Sequence, residues 1–186
     1  MKYHIKKTNE LTEQEIEHIL QLWDISAWNR MKIPEFHSLF KDSEFHFLID
    51  AKEVILAVFR VNFDFTLNIS GEEISFAEAV GLVAAQKKKG YGARLVEYFT
   101  ENMKERNIET IGFCHTHLRP FYEKCKIEIL YDKARAIKEN VDSEWVNSDD
   151  DDILIFHISD ERKKLLNGLS AQNNAYLIIK EQRNEL

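Results

Sequence analysis

Residues 86–94 read Gln-Lys-Lys-Lys-Gly-Tyr-Gly-Ala-Arg, four cations and no acid in a chain of net charge −7. Glycines let a backbone turn closely around a ligand, and a helix that starts there offers unpaired N–H groups and the positive end of its dipole. Lys87, Lys88, Lys89, Gly90, Tyr91, Gly92 and Ala93 therefore form a candidate cradle for a pyrophosphate. A solvated lysine loop is the plainer reading, and it stays open on these residues alone. The run lacks the Gly-x-x-x-x-Gly-Lys-Ser/Thr of a nucleotide P-loop and the Gly-x-Gly-x-x-Gly of a dinucleotide site.

Glu78 is the one ionisable residue in the apolar stretch 77–85. An unpaired carboxylate is costly there, and burial would raise its pKa towards that of a base able to take a proton from an ammonium. Exposure, or pairing with Arg60 or a lysine, is the alternative. A third candidate is the acidic run 141–152, which holds Asp142, Glu144, Asp149, Asp150, Asp151 and Asp152 and no Lys or Arg. Such a cluster attracts amines, although a solvated loop is its commoner fate. It lacks the regular EF-hand spacing. His115-x-His117 follows an extended segment whose alternate residues face opposite ways, so no metal is expected. Cys114 and Cys125 match neither a zinc site nor a redox pair and read as small core residues.

The elements that must position these groups follow from periodicity. A strand is expected near residues 3–6. Thr12 and Glu15 offer a capping box before Ile16, Ile19, Leu20 and Trp23 at helical spacing, and Pro34 can open a short helix over 35–40. Phe45, Phe47 and Ile49 alternate as in a strand, 54–65 and 74–85 are strand-like, and Ser70-Gly71 turns between them. Leu95, Val96, Phe99 and Met103 predict a helix directly after Gly92. Residues 110–114, 127–131 and 153–158 read as extended, 120–124 as helical, and Leu165, Leu166 and Leu169 as a helix face packing on the domain or on a partner chain.

With 186 residues, 44% apolar and 31% charged, the chain is expected to fold as one domain, 1–186, that needs no staple; about 70% of the unfolded surface can be buried at this length. No apolar run is long enough for a secretion signal or a membrane span, and two cysteines suit a reducing cytoplasm. The net acidity argues against nucleic acid as a partner.

The cradle resembles the acyl-CoA signature of the GNAT N-acetyltransferases, Arg/Gln-x-x-Gly-x-Gly/Ala, with Lys87 in the Arg/Gln position and Gly90 and Gly92 matching. Arg119-Pro120-Phe121-Tyr122-Glu123-Lys124 is similar to the family's short helix ending Phe-Tyr-x-Lys, although Lys126-Ile127 replaces the usual Gly-Phe after it, a departure that changes the turn. The resemblance implies a mixed, mostly antiparallel α/β sheet flanked by helices, with a V-shaped splay that holds acetyl-CoA. It implies Glu78 as general base and Tyr122 as general acid. Val80, Gly81, Leu82 and the cradle would contact the cofactor, the Val80 N–H helping to hold the oxyanion. The layout over 44–160 also resembles the aminoglycoside 2′-N-acetyltransferase branch, which implies a cationic small-molecule amine bound near Glu78, Ala79, Asp149 and Asp150. The tail, 159–186, matches nothing recognisable and its role is open, as are homodimer formation and a non-catalytic CoA-binding role for the domain.

Overall fold

The structure, a computed structural model, describes residues 1–28 and 30–178. They fall into two compact units: Met1–Phe63 with Ala79–Glu105, and Asp64–Glu78 with the chain from Arg106 onward.

The first unit begins with β1 (Lys2–Lys7), which pairs antiparallel with β2 (Ser43–Ile49). Between them lies α1 (Glu13–Trp23), whose start carries the expected capping box: the Thr12 hydroxyl accepts from Glu15 N–H at 3.2 Å, and the Glu15 carboxylate accepts from Thr12 N–H at 2.9 Å. Asp24, left-handed at φ 49°, ends the helix. Pro34 sits in the first turn of α2 (Ile33–Leu39). Strand β2 then pairs with the first part of β3 (Ile55–Ile69), Ser43 facing Asn62. Ile16, Ile19, Phe36, Phe40, Phe45 and Phe47 close the core between the helices and this sheet. The last part of β4 (Glu72–Ala84) leads into α3 (Tyr91–Glu105), which buries Leu95, Val96, Phe99 and Met103. Each such burial stabilises by about 1.5–3 kcal/mol relative to exposure, so the cradle is attached to a well-anchored helix.

The second unit takes the rest of β3 and β4. It adds β5 (Thr110–Cys114), α4 (Arg119–Lys124), β6 (Glu128–Leu130), β7 (Ile137–Val141), β8 (Glu144–Asn147), β9 (Asp152–His157), α5 (Asp160–Asn167) and β10 (Ala175–Ile178). The strand order is β6-β9-β5-β4-β3-β10-β7-β8. Strand β9 is antiparallel to β5 and β6, and β10 is antiparallel to β3 but parallel to β7. The fold is thus the expected mixed α/β, mostly antiparallel sheet flanked by helices. Ile111, Ile153, Leu67, Phe76 and Ala175 fill the core with Leu166 and Leu169 of the tail, so the expected leucine face packs on its own chain.

Two elements depart from the sequence reading. The acidic run is not one segment, because β7 and β8 form a hairpin about Asp142 and Ser143, at φ 50° and 71°. Two successive left-handed residues make a tight hairpin turn, here without the glycine that usually marks one. Strand β10 was not expected at all, and residues 179–186 of the tail lie outside the described residues. Among the described residues no helix is long and apolar enough to cross a membrane.

Candidate active site

In the first unit, β4 delivers its end to the cradle. Ala79 is buried, Val80 and Leu82 are half-buried, and Gly81 has φ +69°. The Gly81 carbonyl accepts the indole N–H of Trp23 at 2.7 Å. After Ala85 N–H donates to Leu56 O at 2.9 Å, residues 86–90 run fully exposed. Lys88 at φ 63° and Gly90 at φ 77° bend this loop, two left-handed positions in three residues. Arg94 N–H donates to Gly90 O at 3.0 Å, the first bond of α3. The N–H groups of Tyr91, Gly92 and Ala93 therefore have no partner within the helix. No acid lies in that first turn. Arg94 lies over the Tyr98 ring, and Lys87, Lys88 and Lys89 are exposed. This arrangement suits an anion bound by backbone donors with cations around it.

The second unit holds Glu78, half-buried on β4, and Tyr122, 6% exposed on α4. Burial, with Cys114, Cys125 and Asp150 nearby, pushes the Tyr122 phenol well above its ordinary range, so it keeps its proton at neutral pH. Burial likewise raises the Cys114 thiol to about 12, which removes it as a nucleophile.

What positions Tyr122 is an ion-paired anchor at the start of its helix. Arg119 donates from Nε to Asp152 Oδ2 at 2.5 Å and from Nη2 to Asp152 Oδ1 at 2.7 Å. Asp152, fully buried at the head of β9, also accepts Asp132 N–H at 2.8 Å. A bidentate pair of this kind fixes orientation as well as separation. After the helix, Lys126 takes φ +60° and Ile127 N–H returns to Tyr122 O at 3.0 Å. Lys126 thus holds the left-handed conformation that glycine adopts freely, at a cost of about 1 kcal/mol.

The four aspartates of 149–152 divide into two pairs. Asp152 serves Arg119. Asp151 accepts Thr116 N–H at 2.6 Å, the Thr116 hydroxyl at 2.7 Å and the Arg135 guanidinium at 2.5 Å, which hold its carboxyl below the usual range. Asp149 is exposed and Asp150 half-buried, and among the described residues neither pairs with Lys or Arg. The Asp150 carboxylate lies 3.9 Å from His115 Nδ1; burial raises its pKa, partly offset by that histidine.

His115 and His117 do not point to opposite faces, because β5 ends at Cys114 and a 3-10 turn over Thr116–Leu118 stacks their rings at 5.7 Å. Among the described residues no group of three or more His, Cys, Asp or Glu is placed to hold a metal. The sequence reading named Arg119 only as part of a motif, and it missed Trp23 and the anchoring role of Asp152. For Asp152 the available signal was an acid directly before the apolar run 153–156.

A model described as the Acetyltransferase (GNAT) family matches residues 10–126. No curated protein matches the chain at significant similarity. Among solved structures, a GNAT family N-acetyltransferase (YhbS) from Escherichia coli in complex with CoA superposes with TM-score 0.58 at 12% identity, over 97% of this chain and 91% of that one. The catalytic domain of Tetrahymena GCN5 histone acetyltransferase in complex with coenzyme A gives 0.51 at 16% identity, over 84% and 93%. A probable N-acyltransferase from Enterococcus faecalis gives 0.51 at 12% identity, over 70% of this chain but only 33% of that longer one.

Proposed function

The chain belongs to the GNAT acetyltransferase family, the acyl-CoA-dependent N-acyltransferases, and from that premise we propose that it moves an acetyl group from acetyl-CoA to a primary amine of a cationic small molecule, aminoglycoside-like or polyamine-like. The observation that carries the acceptor class is the division of the aspartates: Asp149 and Asp150 keep carboxylates that no Lys or Arg among the described residues engages. An ammonium is the complementary charge.

In this reading the diphosphate of CoA rests on the N–H groups of Tyr91, Gly92 and Ala93, with Lys87, Lys88 and Lys89 adding attraction. Val80, Gly81 and Leu82 receive the acyl arm. Glu78 takes a proton from the ammonium, and the freed amine attacks the thioester carbonyl. The Val80 N–H donates to the oxygen that gains charge, a contribution of about 3–4 kcal/mol where the donor is pre-oriented. The carbon–sulfur bond then breaks as Tyr122 gives its proton to the departing thiolate, and the second proton that the acylated nitrogen sheds restores the phenol.

The test is release of free thiol from acetyl-CoA with a panel of aminoglycosides, polyamines and amino-terminal peptides, with the acetylated product identified by mass. Amine-dependent thiol release with the polycations, and little with neutral amines, is expected. Binding of acetyl-CoA without thiol release across the panel would replace the enzyme with a CoA-binding module.

A further inference from the structure

We propose that Trp23, at the end of α1, is a positioning residue for acyl transfer: its indole N–H fixes the Gly81–Leu82 peptide and so aims the Leu82 N–H at the acyl-CoA thioester. The inference rests on the reading that residues 80–82 receive the acyl arm.

The geometry begins with the 2.7 Å hydrogen bond from Trp23 Nε1 to Gly81 O. No peptide bond among the described residues is cis. In a trans peptide the carbonyl and the following N–H point in opposite directions, so pinning Gly81 O against the indole turns Leu82 N–H away from it. Gly81 can meet the indole because its φ of +69° departs from extended backbone into the region open to glycine. A side chain would crowd the ring: a Cβ at position 81 would lie 3.0 Å from Trp23 Nε1 and 3.2 Å from Cε2 and Cζ2, so the indole would have to give way by a few tenths of an ångström.

The indole is itself held. Its ring lies 5.3 Å from Trp28, 5.6 Å from Phe40, 6.1 Å from Phe45 and 6.4 Å from Phe36, centroid to centroid, and the three phenylalanines are buried. The helix stops one residue later at Asp24, whose N–H still bonds Leu20 O at 3.1 Å. A donor on a ring fixed in this way is oriented before any ligand arrives, as a catalytic amide requires. Packing alone would need only an aromatic ring at this place; the N–H is what distinguishes tryptophan.

Trp23→Phe keeps a ring in the cluster and removes the N–H. The expected result is a fall in kcat of about tenfold, the scale of a misaligned donor, with the Kd for CoA, which lacks the thioester carbonyl, changed less than about twofold. An unchanged kcat, or equal losses of kcat and CoA affinity, would reduce Trp23 to packing and overturn the proposal. An amide spectrum separates this from the fate of the reaction itself. In the wild-type protein the Leu82 N–H resonance should move with acetyl-CoA more than with CoA, and in Trp23→Phe that difference should vanish. The same response in both proteins overturns the proposal, even if no amine is found to be acetylated. Should Trp23→Phe fail to fold, the wild-type Trp23 indole N–H resonance decides: it must respond to acetyl-CoA, and silence counts against the proposal.

Discussion

The two units handle charge in opposite ways. In the first, the candidate donor surface is built from backbone: helix-start amides at 91–93, a glycine carbonyl pinned by an indole, and lysines left exposed. In the second, the candidate proton-handling surface is built from side chains held in ion pairs, with Arg119 locked to Asp152 and Arg135 to Asp151. Backbone donors recognise any suitably placed phosphate and ask of the sequence only a turn and a helix start. Proton transfer needs particular atoms with shifted pKa values, so it needs a scaffold of other particular side chains to hold them. Substitutions in the lysine and glycine loop of the first unit should therefore act on CoA affinity, and those in the second unit on turnover, acceptor binding and stability.

The sharpest test of that division is Tyr122→Phe, expected to lower kcat by about 100-fold while the Kd for CoA, measured by calorimetry, stays within about twofold. Equal losses would make the tyrosine structural and erase the contrast. Replacing Lys87, Lys88 and Lys89 together by alanine should do the reverse, weakening CoA by about tenfold at low salt with the gap closing near 1 M, where exposed charges are screened. Asp152→Ala should lower the melting temperature by roughly 5–10 °C, since it strips the buried partner from Arg119; a scan at neutral pH decides. Asp150→Asn should raise the acceptor KM by about fivefold, the scale of a partly exposed ion pair. The pH sense of that effect follows from burial, which raises the Asp150 carboxyl. Its charge is present above that raised pKa and lost as pH falls through it, so wild-type KM should climb at a higher pH than an ordinary carboxylate would give, and the Asn variant should lack that limb. Smallest of all, Lys126→Gly should stabilise by about 1 kcal/mol in urea unfolding by relieving a left-handed lysine.

The same contrast explains what could be read before the structure. The strand–turn–helix that carries the candidate cradle was legible because an apolar strand, a glycine pair and an amphipathic helix are local in sequence, and the capping box of α1 for the same reason. The fate of the acidic run was not. Deciding that Asp151 and Asp152 meet an arginine, while among the described residues Asp149 and Asp150 meet no Lys or Arg, required Arg135, Thr116 and Arg119, which only folding brings into place. The hairpin of β7 and β8 was hidden by a turn of Asp142 and Ser143 without glycine, and by an edge strand exposed at every position. The bond from Trp23 to Gly81 spans 58 residues and leaves no periodic trace.

The claim beneath the comparison is that backbone amides of the first unit bind the donor, and titrating CoA into uniformly nitrogen-15-labelled protein tests it most directly. The account predicts saturable shifts in the amides of Val80, Gly81 and Leu82 and of residues 87–93. Saturable binding that leaves those resonances still, or no binding at all, would contradict it.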